Sequence, residues 1–181
     1  MSKEIDWAKL AVELGLEAPF GEYCCGREDA ERALELIIGQ DTLRAAVNYY
    51  VQANTGQDAH TGSELARSVL WQLRPWSAMC RCYEIFKSSG SVETRRTAVE
   101  LLRVVADRRT LPWISEFLQD NDAVIQSWGI GVLDQLLFSE LVEPEEAEDI
   151  LRTAEQHNNE SVRERTEFIR DYLLSRADPA N

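Results

Sequence analysis

From one end of this chain to the other, apolar residues recur with the spacing of α-helices, and no alternating run longer than four residues offers a strand. The first periodic segment covers residues 4–14, with Ile5, Ala8, Leu10 or Ala11, and Leu14 on one side, and stops at Gly15. A loop with Pro19, Gly21 and Gly26 precedes a second segment over residues 28–38, which ends at Gly39. Asp41 or Thr42 is placed to cap a third, carrying Leu43, Ala46, Val47, Tyr50 and Val51. The polar, glycine-bearing stretch 54–62 is the clearest loop, and Ser63-Glu64 opens a fourth helix that must close before Pro75. Two more span residues 76–88 and 91–107, separated by Ser88-Ser89-Gly90. Leu111-Pro112, Asn121-Asp122, Pro144 and Asn158-Asn159 mark the starts of the last four. Ten helices in 181 residues, joined by turns of two to five residues, fold as antiparallel hairpins. The expected fold is therefore all-α, one domain over 1–181: an N-terminal cap helix and loop (1–27), stacked hairpins (28–176) and a short tail (177–181).

The hairpins share a weak internal repeat. Turns of small polar residues precede Leu43, Thr94, Val124 and Val162, a basic residue often follows, and apolar positions come four and eight residues further on. The best unit runs from Leu111-Pro112 through Asp120-Asn121-Asp122-Ala123-Val124 to Leu136. This pattern resembles HEAT repeats, the paired-helix units of alpha-solenoids, well over residues 77–176 and loosely over 28–74. It departs from the family at Ile125, where arginine is usual, and at Gly129 and Gly131, each weakening a helix by about 1 kcal/mol relative to alanine. The resemblance implies a short alpha-alpha superhelix and says little about function. Physics points the same way. A lone hairpin cannot bury its apolar stripe, and the segment Ala98, Val99, Leu101, Leu102, Val104, Val105, Ala106 is apolar over most of its circumference, so neighbours must cover both flanks.

Charge is unevenly placed. The net charge of −13 combines −5 over residues 1–40, +3 over 41–110, −11 over 111–162 and a balanced remainder from 163 onward. Residues 111–162 hold twelve acids and a single base, Arg152. Such a surface repels phosphate backbones, which disfavours direct contact with nucleic acid or an anionic membrane. No apolar run approaches the ~20 residues of a membrane helix, and the acidic N-terminus lacks the pattern of a secretory signal, so a cytoplasmic location is expected. Cys24-Cys25 and Cys80/Cys82 are spaced poorly for zinc loops or structural disulfides and have no neighbouring histidine, so free thiols are expected.

Catalytic patterns do not emerge. His60 lies in the glycine-bearing loop and His157 at a helix end, without a nearby Cys or Ser partner. Neither belongs to the His-Glu motifs through which one HEAT-repeat hydroxylase family binds iron. Phosphate-cradling and nucleophile-elbow motifs are also missing. The carboxylate pairs Glu145/Glu146 and Glu148/Asp149 fall on a solvent face, where desolvation cannot raise a pKa. HEAT-like DNA glycosylases require a basic groove, which the acidic segment contradicts. No catalytic residue, metal site or cofactor is therefore expected. Among the tryptophans, Trp71 and Trp128 fall on apolar stripes, and Trp76 and Trp113 sit at helix starts where hairpin packing would hold them.

A non-catalytic module that docks a basic protein on an acidic surface is the expected function. Outward positions of the second helix of each hairpin are Glu93, Arg96, Glu100 and Arg103, then Gln126, Ile130 and Asp134, then Glu164, Glu167 and Asp171, with Asp120, Asp122, Glu143, Glu145 and Glu146 at turns and rims. The carboxylates of this set, together with Gln126 and Ile130, are the candidate partner-binding residues, on a protein expected to be monomeric by itself. Several immunity proteins of bacterial toxin systems resemble the chain in size, charge and helical pattern, so sequestration of a toxin is the most specific form of this expectation. A HEAT-repeat adaptor or scaffold is the alternative, and a subunit similar to the bilin lyases a more distant one.

Overall fold

Turn chemistry decides where the helices begin. A computed structural model describes residues 5–16, 26–55 and 61–177, and all its regular structure is helical. In chain order the elements are α1 (Trp7–Glu13), α2 (Arg27–Ile38), α3 (Gln40–Thr55), α4 (Thr61–Leu73), α5 (Trp76–Ser88), α6 (Val92–Val105), a 3₁₀ turn (Arg108–Trp113), α7 (Ile114–Leu118), α8 (Ala123–Phe138), α9 (Pro144–Glu155) and α10 (Glu160–Ala177). Ser91 accepts from the Thr94 N–H to cap α6, and Asp122 accepts from the N–H groups of Val124 and Ile125 to cap α8. Gly39 takes φ +92° between α2 and α3, a conformation that suits glycine. Cys24, Cys25, Pro19, Gly21, Gly56 and His60 lie outside the described residues, as does the tail beyond 177.

Helices pair and stack in two layers. Each hairpin packs internally, α3 with α4, α5 with α6, α7 with α8 and α9 with α10. In one layer α4, α6, α8 and α10 follow one another. In the other α3 meets α5, α7 meets α9, and α5 is joined to the third hairpin by aromatic stacking: Trp113 lies 5.3 Å from Trp76 and 4.4 Å from Tyr83, and Phe86 meets Phe117 edge-on at 4.8 Å. Trp76 and Trp113 are thus packing residues. At the N-terminal end, the carboxylate of Glu35 on α2 accepts from the backbone N–H groups of Trp76 (3.2 Å) and Ser77 (2.8 Å), capping α5, whose own N-cap Pro75 offers no side-chain acceptor.

Third-hairpin geometry differs from the expectation of a helix starting at Leu111-Pro112. Asp107 accepts from the Arg109 N–H, and the Thr110 N–H donates to the Asp107 carbonyl at 3.0 Å, so the chain winds with three-residue closures. Pro112 has no N–H to continue a four-residue ladder, and α-helical geometry begins only at Ile114. By contrast α8 is mostly apolar, and nine of its residues between Ile125 and Leu137 are buried, as befits a helix packed against α6, α7, α9 and α10. Its two glycines make close approaches possible. A Cβ on Gly129 would stand 2.5 Å from Phe117 Cβ, and one on Gly131 would stand 2.9 Å from Arg103 Cδ. One glycine seats α7 and the other lets an arginine of α6 lie across α8.

Candidate protein-binding surface

The turns between paired helices form a ladder of their own. At the start of α6, Arg95 pairs with Asp120 and donates from Nε to the Phe86 carbonyl (3.1 Å). Arg96 grips Asp122 with two bonds of 2.9 and 2.6 Å. Asp120 also accepts from the Asp122 N–H (2.9 Å), and its carbonyl accepts from Gln126 Nε2 (2.6 Å). Asn159 Nδ2, in the last turn, donates to the Ala123 carbonyl and to Gln126 Oε1, each at 2.9 Å. Arg95 and Arg96 at the start of α6 therefore tie the second hairpin to the third. Arg96 and the α8 N–H groups hold the Asp122 carboxyl below the usual carboxylate range.

This ladder removes several expected docking residues from the open surface. Asp120, Asp122 and Gln126 are half-buried members of it. Ile130, expected to face outward, is 0% exposed in the second of two core clusters, because α8 is covered on both flanks. Asp134, also expected outward, is 8% exposed and pairs with Arg165 at 3.0 Å. Burial pushes its pKa up against the opposing pull of Arg165 and Arg103. Glu100 is half-buried; it accepts from the Tyr50 hydroxyl at 2.6 Å and lies 3.6 Å from Arg67. Glu146 pairs with Arg108. Glu93, Glu143, Glu145, Glu164, Glu167 and Asp171 are exposed as expected.

The acidic segment is mostly neutralised by the protein itself. Of its twelve carboxylates, nine meet a cation: Glu116 with Lys87, Asp120 with Arg95, Asp122 with Arg96, Asp134 with Arg165, Glu140 with Arg176, Glu146 with Arg108, Glu148 with Arg170 and Arg152, Asp149 with Arg152, and Glu155 with Arg170. Glu143, Glu145 and Glu160 have no such partner among the described residues.

The balanced tail behaves oppositely. Arg165, Arg170 and Arg176 turn to carboxylates of α8, α9 and the turn between them, and Arg163 donates to the carbonyls of His157 (2.6 Å) and Asn158 (3.0 Å) at the end of α9. Buried Val162, Thr166 and Ile169, with half-buried Leu173, form the inward stripe of α10. At 3.6 residues per turn, Glu160, Glu164, Glu167 and Asp171 lie on the opposite side. All four are exposed, and none has an ion pair among the described residues. Phe168 (54% exposed) and Leu174 (69%) flank this row on either side. Their prominence was not anticipated, although the inward stripe read at helical spacing leaves both off it.

The His157 ring is held structurally: Nδ1 accepts from the Asn159 N–H at 3.0 Å, which leaves Nε2–H to donate to the Leu118 carbonyl at 2.9 Å. Cys80 and Cys82 are free thiols, and burial pushes both upward in pKa, away from the nucleophilic thiolate. Among the described residues no cluster of three or more His, Cys, Asp or Glu is set to hold a metal, and no helix is long and apolar enough to cross a membrane. Comparison with family models, curated proteins and solved structures returned no match.

Proposed function

We propose that the protein is a non-catalytic, HEAT-like binding module that docks a basic protein on the outer face of α10. The observation that carries this reading is the segregation of charge: the tail's own arginines are engaged by carboxylates and carbonyls of the fold, Arg165 also lying 5.8 Å over the Phe168 ring, while Glu160, Glu164, Glu167 and Asp171 stand in one exposed row beside Phe168 and Leu174. Like charges at spacings of three and four residues repel, so beyond Glu160, which suits the first turn of α10, the row does nothing for the helix it sits on. A rigid helix presenting it loses little ordering entropy on association, the charge speeds encounter, and the two apolar side chains slow release. Glu143 and Glu145 extend the acidic area at the start of α9. The narrowest form of the proposal is an immunity protein that covers the active site of a cationic toxin; an adaptor for a basic subunit uses the same surface.

Affinity capture at low salt, with the recovered partner identified, tests this directly. The proposal expects a basic protein, released at ~0.5 M salt where the screening length falls to about 4 Å. It also expects at least tenfold weaker binding when Glu164, Glu167 and Asp171 are changed to lysine, with the helical spectrum unchanged. An acidic partner, or one indifferent both to salt and to the charge reversal, overturns it. For the immunity form, the partner must be a toxic enzyme inhibited by one equivalent of the protein.

A further inference from the structure

On the layer formed by α4, α6 and α8 there is an open cleft of about 370 Å³ lined by Arg67, Ser68, Trp71, Arg103, Val104 and Gln135. Trp71, expected in the core, is 48% exposed at its rim. Arg103 differs from the other arginines whose side chains are described, each of which meets a partner. Its guanidinium lies 4.8 Å over the Trp128 ring, and its stem crosses α8 where Gly131 leaves room. Yet it has neither an ion pair nor a hydrogen bond among the described residues. Three buried side-chain polar atoms have no hydrogen-bond partner among the described residues, Arg103 Nε, Arg67 Nε and Ser77 Oγ, and two of the three belong to arginines whose side chains line this cleft. A buried unsatisfied donor costs about 1–3 kcal/mol, a cost that a group kept only for packing would shed by becoming apolar.

We propose that this cleft binds the carboxylate of an aspartyl or glutamyl side chain on a partner protein, with Trp71 covering an adjacent apolar residue. With Nε buried, the two Nη nitrogens of Arg103 are the pair of N–H donors that can meet a carboxylate, and Trp128 and Gly131 set where they point. The local charge selects a monoanion. Arg67 is shared with Glu64 (3.4 Å) and Glu100 (3.6 Å), so among the described residues Arg103 is the cleft's cation without an ion pair. Those glutamates and nearby Asp134, which feels the charge of Arg103, oppose a phosphate dianion. The open shape admits a side chain from an extended segment rather than enclosing a small molecule. This site draws on α4, α6 and α8, shares no residue with the α10 row and stands without it.

The test is a two-dimensional NMR titration that follows the indole N–H signals of Trp71 and Trp128. The probes are the blocked peptide Ac-Gly-Glu-Leu-Gly-NH2, its glutamine counterpart, acetate and inorganic phosphate, at equal ionic strength. Each is taken to about 20 mM, where one charge-assisted fork with an apolar contact is measurable. The glutamate peptide is expected to move both indole signals saturably, with the glutamine peptide and acetate at least fivefold weaker. Arg103→Met, which keeps the stem over α8, is expected to abolish the response, and Arg103→Lys to weaken it at least threefold. Both variants are checked for unchanged thermal unfolding. Equal binding of the glutamine peptide or acetate, tighter binding of phosphate, a response that survives in Arg103→Met, or no response to any probe overturns the assignment.

Discussion

Residues 111–162 and helix α10 make an instructive pair. The first is the most acidic stretch of the sequence, yet nine of its twelve carboxylates are met by the protein's own cations. The second belongs to a tail of balanced composition, yet it carries an acidic row without an ion pair among the described residues. The difference lies in direction. Helical spacing points Arg165 and Arg170 at the neighbouring helices α8 and α9 and sends Glu160, Glu164, Glu167 and Asp171 the other way. Charge counted along a chain therefore locates material for a surface field but not the field itself.

If the neutralised region is structural, changing it must cost stability. The largest expected effect is at Ile130, where truncation to alanine empties a fully buried site and costs about 2–5 kcal/mol, measured by urea unfolding. Gly129→Ala is next, at about 1–3 kcal/mol, because the new Cβ meets Phe117; Gly131→Ala costs less, because the Arg103 stem it meets can shift, at the expense of its seat over Trp128. Asp122→Ala removes the α8 cap and the Arg96 pair together, costing about 1–2 kcal/mol, whereas Asp122→Asn keeps a capping oxygen and costs less. Because the folded-state pKa of Asp122 is depressed, its contribution is complete above the ordinary value of 3.8 and fades as the pH falls through the lower folded value. Unfolding measured between neutral and acid pH should show that loss in the parent and not in Asp122→Ala. Asp134 has the reverse sign. Its raised pKa means that its charge opposes folding at neutral pH, so Asp134→Asn should change stability by no more than about 0.5 kcal/mol, with half-exposed Arg165 regaining water.

Much of the architecture was legible because it rests on local chemistry. Proline and glycine positions, capping residues and helical spacing located all ten helices to within a few residues. The third hairpin departed where Asp107 and Pro112 impose a tighter winding, which a leucine-proline motif alone does not reveal. The docking surface was less legible. Asp120 and Asp122 look like free turn acids until Arg95 and Arg96, more than twenty residues earlier, are brought beside them by stacking. Arg103 showed itself as an outward position, but its isolation depends on Gly131 and Trp128, contacts that only the packed helices create.

The separation of held from unheld carboxylates is tested most directly by the unfolding free energy of the triple variant Glu164→Gln, Glu167→Gln, Asp171→Asn against the parent, at low salt and at ~0.5 M. With the like-charge contacts along α10 relieved, the variant should be more stable by about 0.5–1 kcal/mol at low salt, and the gain should shrink at high salt. A loss of 1 kcal/mol or more would mean that cations within the fold hold this row after all, contradicting the account.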